Sequence, residues 1–218
     1  MELLILGDSL PFGRPKYGIC RDKTWPYILA RELNSSLSMR ARGDSTVYNV
    51  MAEVNSLDGY WFDGFPSRKF DAAFVQVGIV DACPRLIHRK LYPLATRLPG
   101  FKFLVRWPPI YKTIGNPWVA NKQFTQAIHN LHSVLTGLAK QVFFIEIAMP
   151  SHHLLQNVGD FSDEIKSRNF NIRESVGKES FVEPWGGVPV PHFLLPDGVH
   201  LNIKGHLEVS MQCIKLLL

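Results

Sequence analysis

Long hydrophobic runs are missing from this chain. The aliphatic run at its start, Leu3 to Leu6, is far too short for a membrane span or for the core of a secretion signal, so the sequence predicts a cytoplasmic protein with no membrane span. Cysteine is scarce as well. Cys20, Cys83 and Cys213 are an odd number with no metal-ligand spacing, which fits reduced thiols and excludes a disulfide framework or a zinc site. The adjacent His152 and His153 have no third ligand spaced to complete a metal site, so no metal and no cofactor are expected. No block of like charge is long enough for a nucleic-acid-binding arm. The formal net charge of +5 therefore indicates either a modest preference for anionic ligands or a solvated surface. Internal repeats and low-complexity linkers are absent too, and 218 residues with 46% hydrophobic and 20% charged side chains fit one globular domain, residues 1–218.

The run Leu3 to Leu6 stops abruptly at Gly7-Asp8-Ser9-Leu10. Four aliphatic residues closed by a glycine predict a central parallel-sheet strand whose carboxyl end delivers Ser9 to the surface, where open α/β sheets carry their chemistry. Gly-Asp-Ser is also an ordinary turn sequence, and by itself it decides nothing. Near the other end stands Asp197-Gly198-Val199-His200, ahead of an apolar-periodic helix from Ile203 to Leu218. A carboxylate and an imidazole three residues apart can share one face of a turn. The Asp then accepts from one ring nitrogen, and the other nitrogen is free to take a proton from a serine. Ser9, His200 and Asp197 thus supply a nucleophile, a general base and an orienting acid.

With those residues the chain resembles the SGNH (GDSL-type) hydrolases: Ser9 in ILGDSL matches the nucleophile block, and Asp197 with His200 in DGVHLN matches the DxxH block. The resemblance implies a three-layer α/β/α sandwich with a mostly parallel five-stranded sheet in the flavodoxin-like order 2-1-3-4-5. It also implies ester hydrolysis and an oxyanion hole that includes the Ser9 backbone N–H. Two middle blocks depart from the family pattern. Where the family has a glycine donor, the segment Tyr48 to Ser56 places Val54, whose backbone N–H becomes the expected donor. Where the family has an asparagine, Gly78-Ile79-Val80-Asp81 places Val80, which has no side-chain donor to offer. Losing one such donor costs about 10²–10³ in turnover, not the whole acceleration. Asn55, Asp81 and Arg85 are candidate replacements, and Asp8 and Gly78 are further candidates for substrate contact. Asp81 equally suits a helix or turn cap. Arg85 suits either a paired surface arginine or a clamp on an anionic group.

Between these blocks the chain alternates strand and helix. Thr24-Trp25-Pro26 predicts a helix to about Leu33, with threonine as its cap. Strands are expected at Thr46 to Val50, Asp71 to Val77, Phe101 to Val105, Val142 to Ile147 and Phe181 to Glu183. Helices are expected at Pro84 to Thr96, within Pro117 to Leu138, and at Phe161 to Val176. The stretch from Ser56 to Phe65 is expected as a short helix or loop packing on the sheet, and its aromatic residues fit core packing better than sugar stacking.

Two functional classes follow. The first is a serine esterase, which Trp107, Trp118 and Trp185 in expected loops and the absence of a long apolar lid direct toward a small acyl ester of a carbohydrate. The second is a related fold that has lost hydrolysis and binds saccharide or assembles with partners, which Val80 motivates. A Mg²⁺ phosphatase built on Asp8 and Asp81 lacks a supporting carboxylate cluster. No nucleic-acid partner is expected.

Overall fold

The computed structural model describes residues 1–59, 70–85, 87, 94, 97, 115–186 and 190–218. Its first strand, β1 (Glu2–Gly7), carries Leu3, Leu4, Ile5 and Leu6 in full burial. Successive side chains of a strand point to opposite faces, so a run apolar on both faces must be covered on both. Leu4 and Leu6 enter one core and Leu3 and Ile5 the other. Each such side chain contributes about 1.5–3 kcal/mol on burial.

Beside β1 run β2 (Ser36–Ala41) and β3 (Phe70–Gln76), followed outward by β6 (Ala139–Ile145) and the two-residue β7 (Phe181–Val182). All four pairings are parallel and the order is β2-β1-β3-β6-β7. Counted within this sheet alone, that is the expected order 2-1-3-4-5. The helices are α1 (Trp25–Glu32), α2 (Val47–Gly59), α3 (Ile79–Ala82), α4 (Asn121–Leu138), α5 (His152–Val158), α6 (Ser162–Val176) and α7 (Ile203–Leu217). Trp25 and Leu29 of α1 and Val209 and Cys213 of α7 cover one face. Val47, Val50 and Val54 of α2, with α4 and α6, cover the other. A separate short ribbon joins β4 (Pro84–Arg85) to β5 (Asn116–Pro117).

The second strand lies earlier than its expected position at Thr46 to Val50. Those residues lead into α2, where Val47, Val50, Val54 and Leu57 recur at helical spacing and are buried. The actual strand, SLSMRA, is an edge strand, half-exposed and paired on one side only. Leu37 and Met39 pack inward while serine and arginine intervene. A shift also appears at β6, which begins at Ala139 because Phe70 of β3 pairs with it there. The helix from Thr24 onward, the α4 core positions Phe124, Ile128, Leu131 and Leu135, and α6 lie where expected. The aromatic stretch 60–65, the strand at 101–105 and most of the helix expected over 84–96 fall outside the described residues. Pro84 and Arg85 themselves are strand.

Candidate active site

At the carboxyl end of β1 the ladder runs one residue further, with Asp8 N–H donating to Gln76 O at 3.1 Å. The chain then turns. Leu10 N–H donates to Asp8 Oδ1 at 2.9 Å and Phe12 N–H to Ser9 O at 3.3 Å. This Asx-type turn presents Ser9 on the edge between β2 and β3, where the chain leaves β1 for opposite sides of the sheet.

The segment before α7 brings His200 to the same edge. Gly198 has φ +77°, and a side chain there would overlap Ser151. Ser151 N–H in turn donates to Gly198 O, and Leu195 N–H to His200 O at 2.7 Å. Asn202 caps α7, its side-chain oxygen accepting from Gly205 N–H while its amide donates to His192 O and Leu194 O. Held in this way, Asp197 Oδ1 accepts from the N–H groups of Val199 and His200, and Oδ2 lies 2.9 Å from His200 Nδ1. His200 Nε2 lies 2.9 Å from Ser9 Oγ.

Protonation follows from these contacts. Burial alone would raise Asp197, but the His200 and Val199 N–H donors and the imidazole outweigh it and hold the carboxyl below its ordinary range. An ionised carboxylate only accepts, so Nδ1 carries the ring proton and Nε2 is left to accept from the serine hydroxyl. Burial, together with the nearby Arg14 guanidinium, pushes His200 below its ordinary 6.5 despite Asp197, which favours the neutral base at neutral pH. The arrangement is suited to activating Ser9 as a nucleophile.

Other expected site residues fall in different places. Val54 is the eighth residue of α2, fully buried, and a mid-helix N–H bonds within its own helix, so it is no oxyanion donor. The error follows from the misplaced second strand. With β2 at Ser36–Ala41, the loop at its carboxyl end begins Arg42-Gly43-Asp44, and Arg42 N–H donates to Gly7 O beside the nucleophile turn. Gly43 is the glycine that the strand boundary would have pointed to. Asn55 lies on the exposed side of α2, about 12 Å along the helix from its site-edge end. Val80 sits in α3, directly after β3, with its side chain in the core. Asp81 is fully buried, and both carboxylate oxygens accept from Val47 N–H, so it caps α2. Gly78 has φ +129°, and a side chain there would strike Ile147, which makes it a turning point between β3 and α3. Arg85 stacks 4.7 Å over the Trp118 ring. Asp8 is fully buried, and burial raises it from 3.8 to about 7, with Asp81 and Asp44 adding to the shift.

Two of the aromatic residues behind the carbohydrate expectation are otherwise engaged. Trp185 is buried and tilted against Phe193, while Trp118 lies beneath Arg85 and donates to Ile87 O. Trp107 is outside the described residues. Arg14, which the sequence did not single out, donates from Nη2 to Ser9 O at 3.4 Å. Loop side chains follow no periodicity, so only the chain's proximity to Ser9 hinted at it. Cys83 is half-buried against the core, and burial pushes its thiol up. Among the described residues no grouping of three or more His, Cys, Asp or Glu could hold a metal ion, and no helix is long and apolar enough to cross a membrane.

No protein-family model matches the sequence, and no curated protein does. Solved structures do match over nearly the whole chain. A protein named TesA is 14% identical with a TM-score of 0.63, covering 100% of this chain and 98% of that one. A member of the lipolytic protein G-D-S-L family from Veillonella parvula DSM 2008 is 10% identical with a TM-score of 0.65, covering 99% and 97%. An acetylxylan esterase, Axe2 from Geobacillus stearothermophilus, is 14% identical with a TM-score of 0.54, covering 99% and 93%. The parallel sheet, its strand order and this likeness define the class: the chain has the fold of the SGNH (GDSL-type) hydrolases.

Proposed function

We propose that this protein is a carboxylic ester hydrolase working through an acyl-enzyme at Ser9. The observation that carries the proposal is the relay of two 2.9 Å contacts, Ser9 Oγ to His200 Nε2 and His200 Nδ1 to Asp197 Oδ2, assembled from opposite ends of the chain. Ser9 Oγ attacks the ester carbonyl as His200 Nε2 takes its proton. The imidazolium, stabilised by Asp197, returns that proton to the leaving alcohol, and water releases the acyl group by the same steps. The Ser9 N–H, with Gly43 N–H on the adjoining loop, is our candidate pair for the oxyanion, and Val80 supplies no third donor.

A small acyl ester of a sugar-like alcohol is the favoured substrate, supported by likeness to acetylxylan esterases. The competing reading, a saccharide-binding or assembly protein without hydrolysis, draws on Val80 alone. Hydrolysis of 4-nitrophenyl acetate tests between them. Ser9→Ala and His200→Ala should each lower kcat by about 10³-fold or more. Because His200 must be neutral to act, kcat/KM should rise with pH through a midpoint below 6.5. A folded wild-type protein with no turnover would favour the binding reading, and activity retained in Ser9→Ala would contradict an acyl-enzyme at Ser9.

A further inference from the structure

The Pro11 to Lys23 loop places a cation against the nucleophile. Arg14 is half-buried, and among the described residues its guanidinium makes two long hydrogen bonds, to Gly13 O at 3.3 Å and to Ser9 O at 3.4 Å. A guanidinium has five N–H donors in a planar fork, so most of this group's capacity is unused. Among the described residues it has no ion-pair partner. The buried arginine of α6 differs in having an ion-pair partner: Arg168 has Glu164 at 2.7 Å and donates to the Val119 carbonyl.

The position of Arg14 ties it to the reacting atoms. After burial, its charge is a further influence holding both His200 and His206 below their ordinary range. Asp8 is buried and held largely protonated up to about pH 7, and Asp44 is exposed on the β2 loop. Ile19 N–H donates to Arg14 O, and Ile19 with Tyr17 forms one wall of an open cavity of about 320 Å³ whose other wall is the segment carrying His192, Asn202 and Lys204. Its walls are apolar or hydrogen-bonding, and among the described residues no carboxylate lines it.

We propose that Arg14 is a specificity residue: lying against Ser9, it takes a carboxylate, or an equivalent anion, on the alcohol part of the ester. This proposal rests on the hydrolase reading for the position of the ester bond. The class of substrate is then the acyl ester of a hydroxy acid, such as an acidic sugar. A planar fork facing a carboxylate forms two parallel charge-assisted hydrogen bonds, and a partly desolvated site strengthens them.

The test compares kcat/KM for 3-acetoxybenzoate and for neutral phenyl acetate in the wild type, Arg14→Gln, Arg14→Lys and Lys16→Gln, with 3-hydroxybenzoate binding measured by calorimetry. The anionic-to-neutral ratio should fall about tenfold or more in Arg14→Gln and less in Arg14→Lys. It should stay within about twofold in Lys16→Gln, whose altered side chain is exposed. Binding of 3-hydroxybenzoate should weaken by a similar factor in Arg14→Gln. Equal losses on both esters, or binding independent of Arg14, would overturn the proposal. Arg14-dependent binding by a protein that hydrolyses neither ester would sustain the anion site and sink the hydrolase reading.

Discussion

Asp8 carries one carboxylate oxygen into full burial with no hydrogen-bond partner, one residue before the nucleophile. Its other oxygen holds the Leu10 N–H, so the side chain shapes the turn that carries Ser9. Burial raises this carboxyl from 3.8 to about 7, so the folded state keeps a proton that the unfolded chain releases at much lower pH. Stability from this group is therefore complete below about pH 4 and is lost as pH rises through about 7. Asp8→Asn removes the titration. Its stability relative to wild type should grow by at least about 1 kcal/mol between pH 5 and pH 8, measured by urea unfolding. Parallel stabilities at the two pH values would refute this role. Burial, with help from Glu183, also raises Glu146, which titrates in the same direction but is common to both proteins and cancels in the comparison. At this scale the meeting of Ser9, His200 and Asp197 was legible because short spacing and residue type limit what they can do. Arg14 and the burial of Asp8 depend on where a loop folds back, which no local pattern encodes.

The caps and turns at the carboxyl edge position the reacting groups, and Asn202 does the most of this work. It starts α7, binds the carbonyls of His192 and Leu194, and so fixes the segment that carries His200. Asn202→Ala should cost about 1–2 kcal/mol of stability, and kcat should fall more than KM rises because His200 loses its placement. Thermal unfolding and steady-state kinetics check both parts, and an unchanged kcat would place the cap outside catalysis. Element identity was readable wherever the apolar period was long, as in α4. It failed at β2, where a half-exposed edge strand carries serine and arginine, and at Thr46 to Val50, where β-branched residues imitated a strand over a stretch too short to show its helical period. That one displaced boundary moved the expected oxyanion donor from Gly43 to Val54.

Across the whole molecule, the site exists only when the chain's two ends meet. Ser9 and His200 are 191 residues apart in sequence, and their contact requires β1 at the centre of the sheet and α7 packed beside α1 over one of its faces. Both hydrophobic cores share that sheet, so the fold should come apart as one unit. Loss of activity and loss of tryptophan fluorescence should coincide along a urea titration, and separated transitions would show that the two cores unfold independently. The measurement that bears most directly on the central claim is reaction of the folded protein with a fluorophosphonate, the adduct being located by mass spectrometry. The relay predicts a single adduct on Ser9 that disappears in Ser9→Ala and is strongly slowed in His200→Ala. A folded wild-type protein left unlabelled, or labelled at another residue, would contradict it.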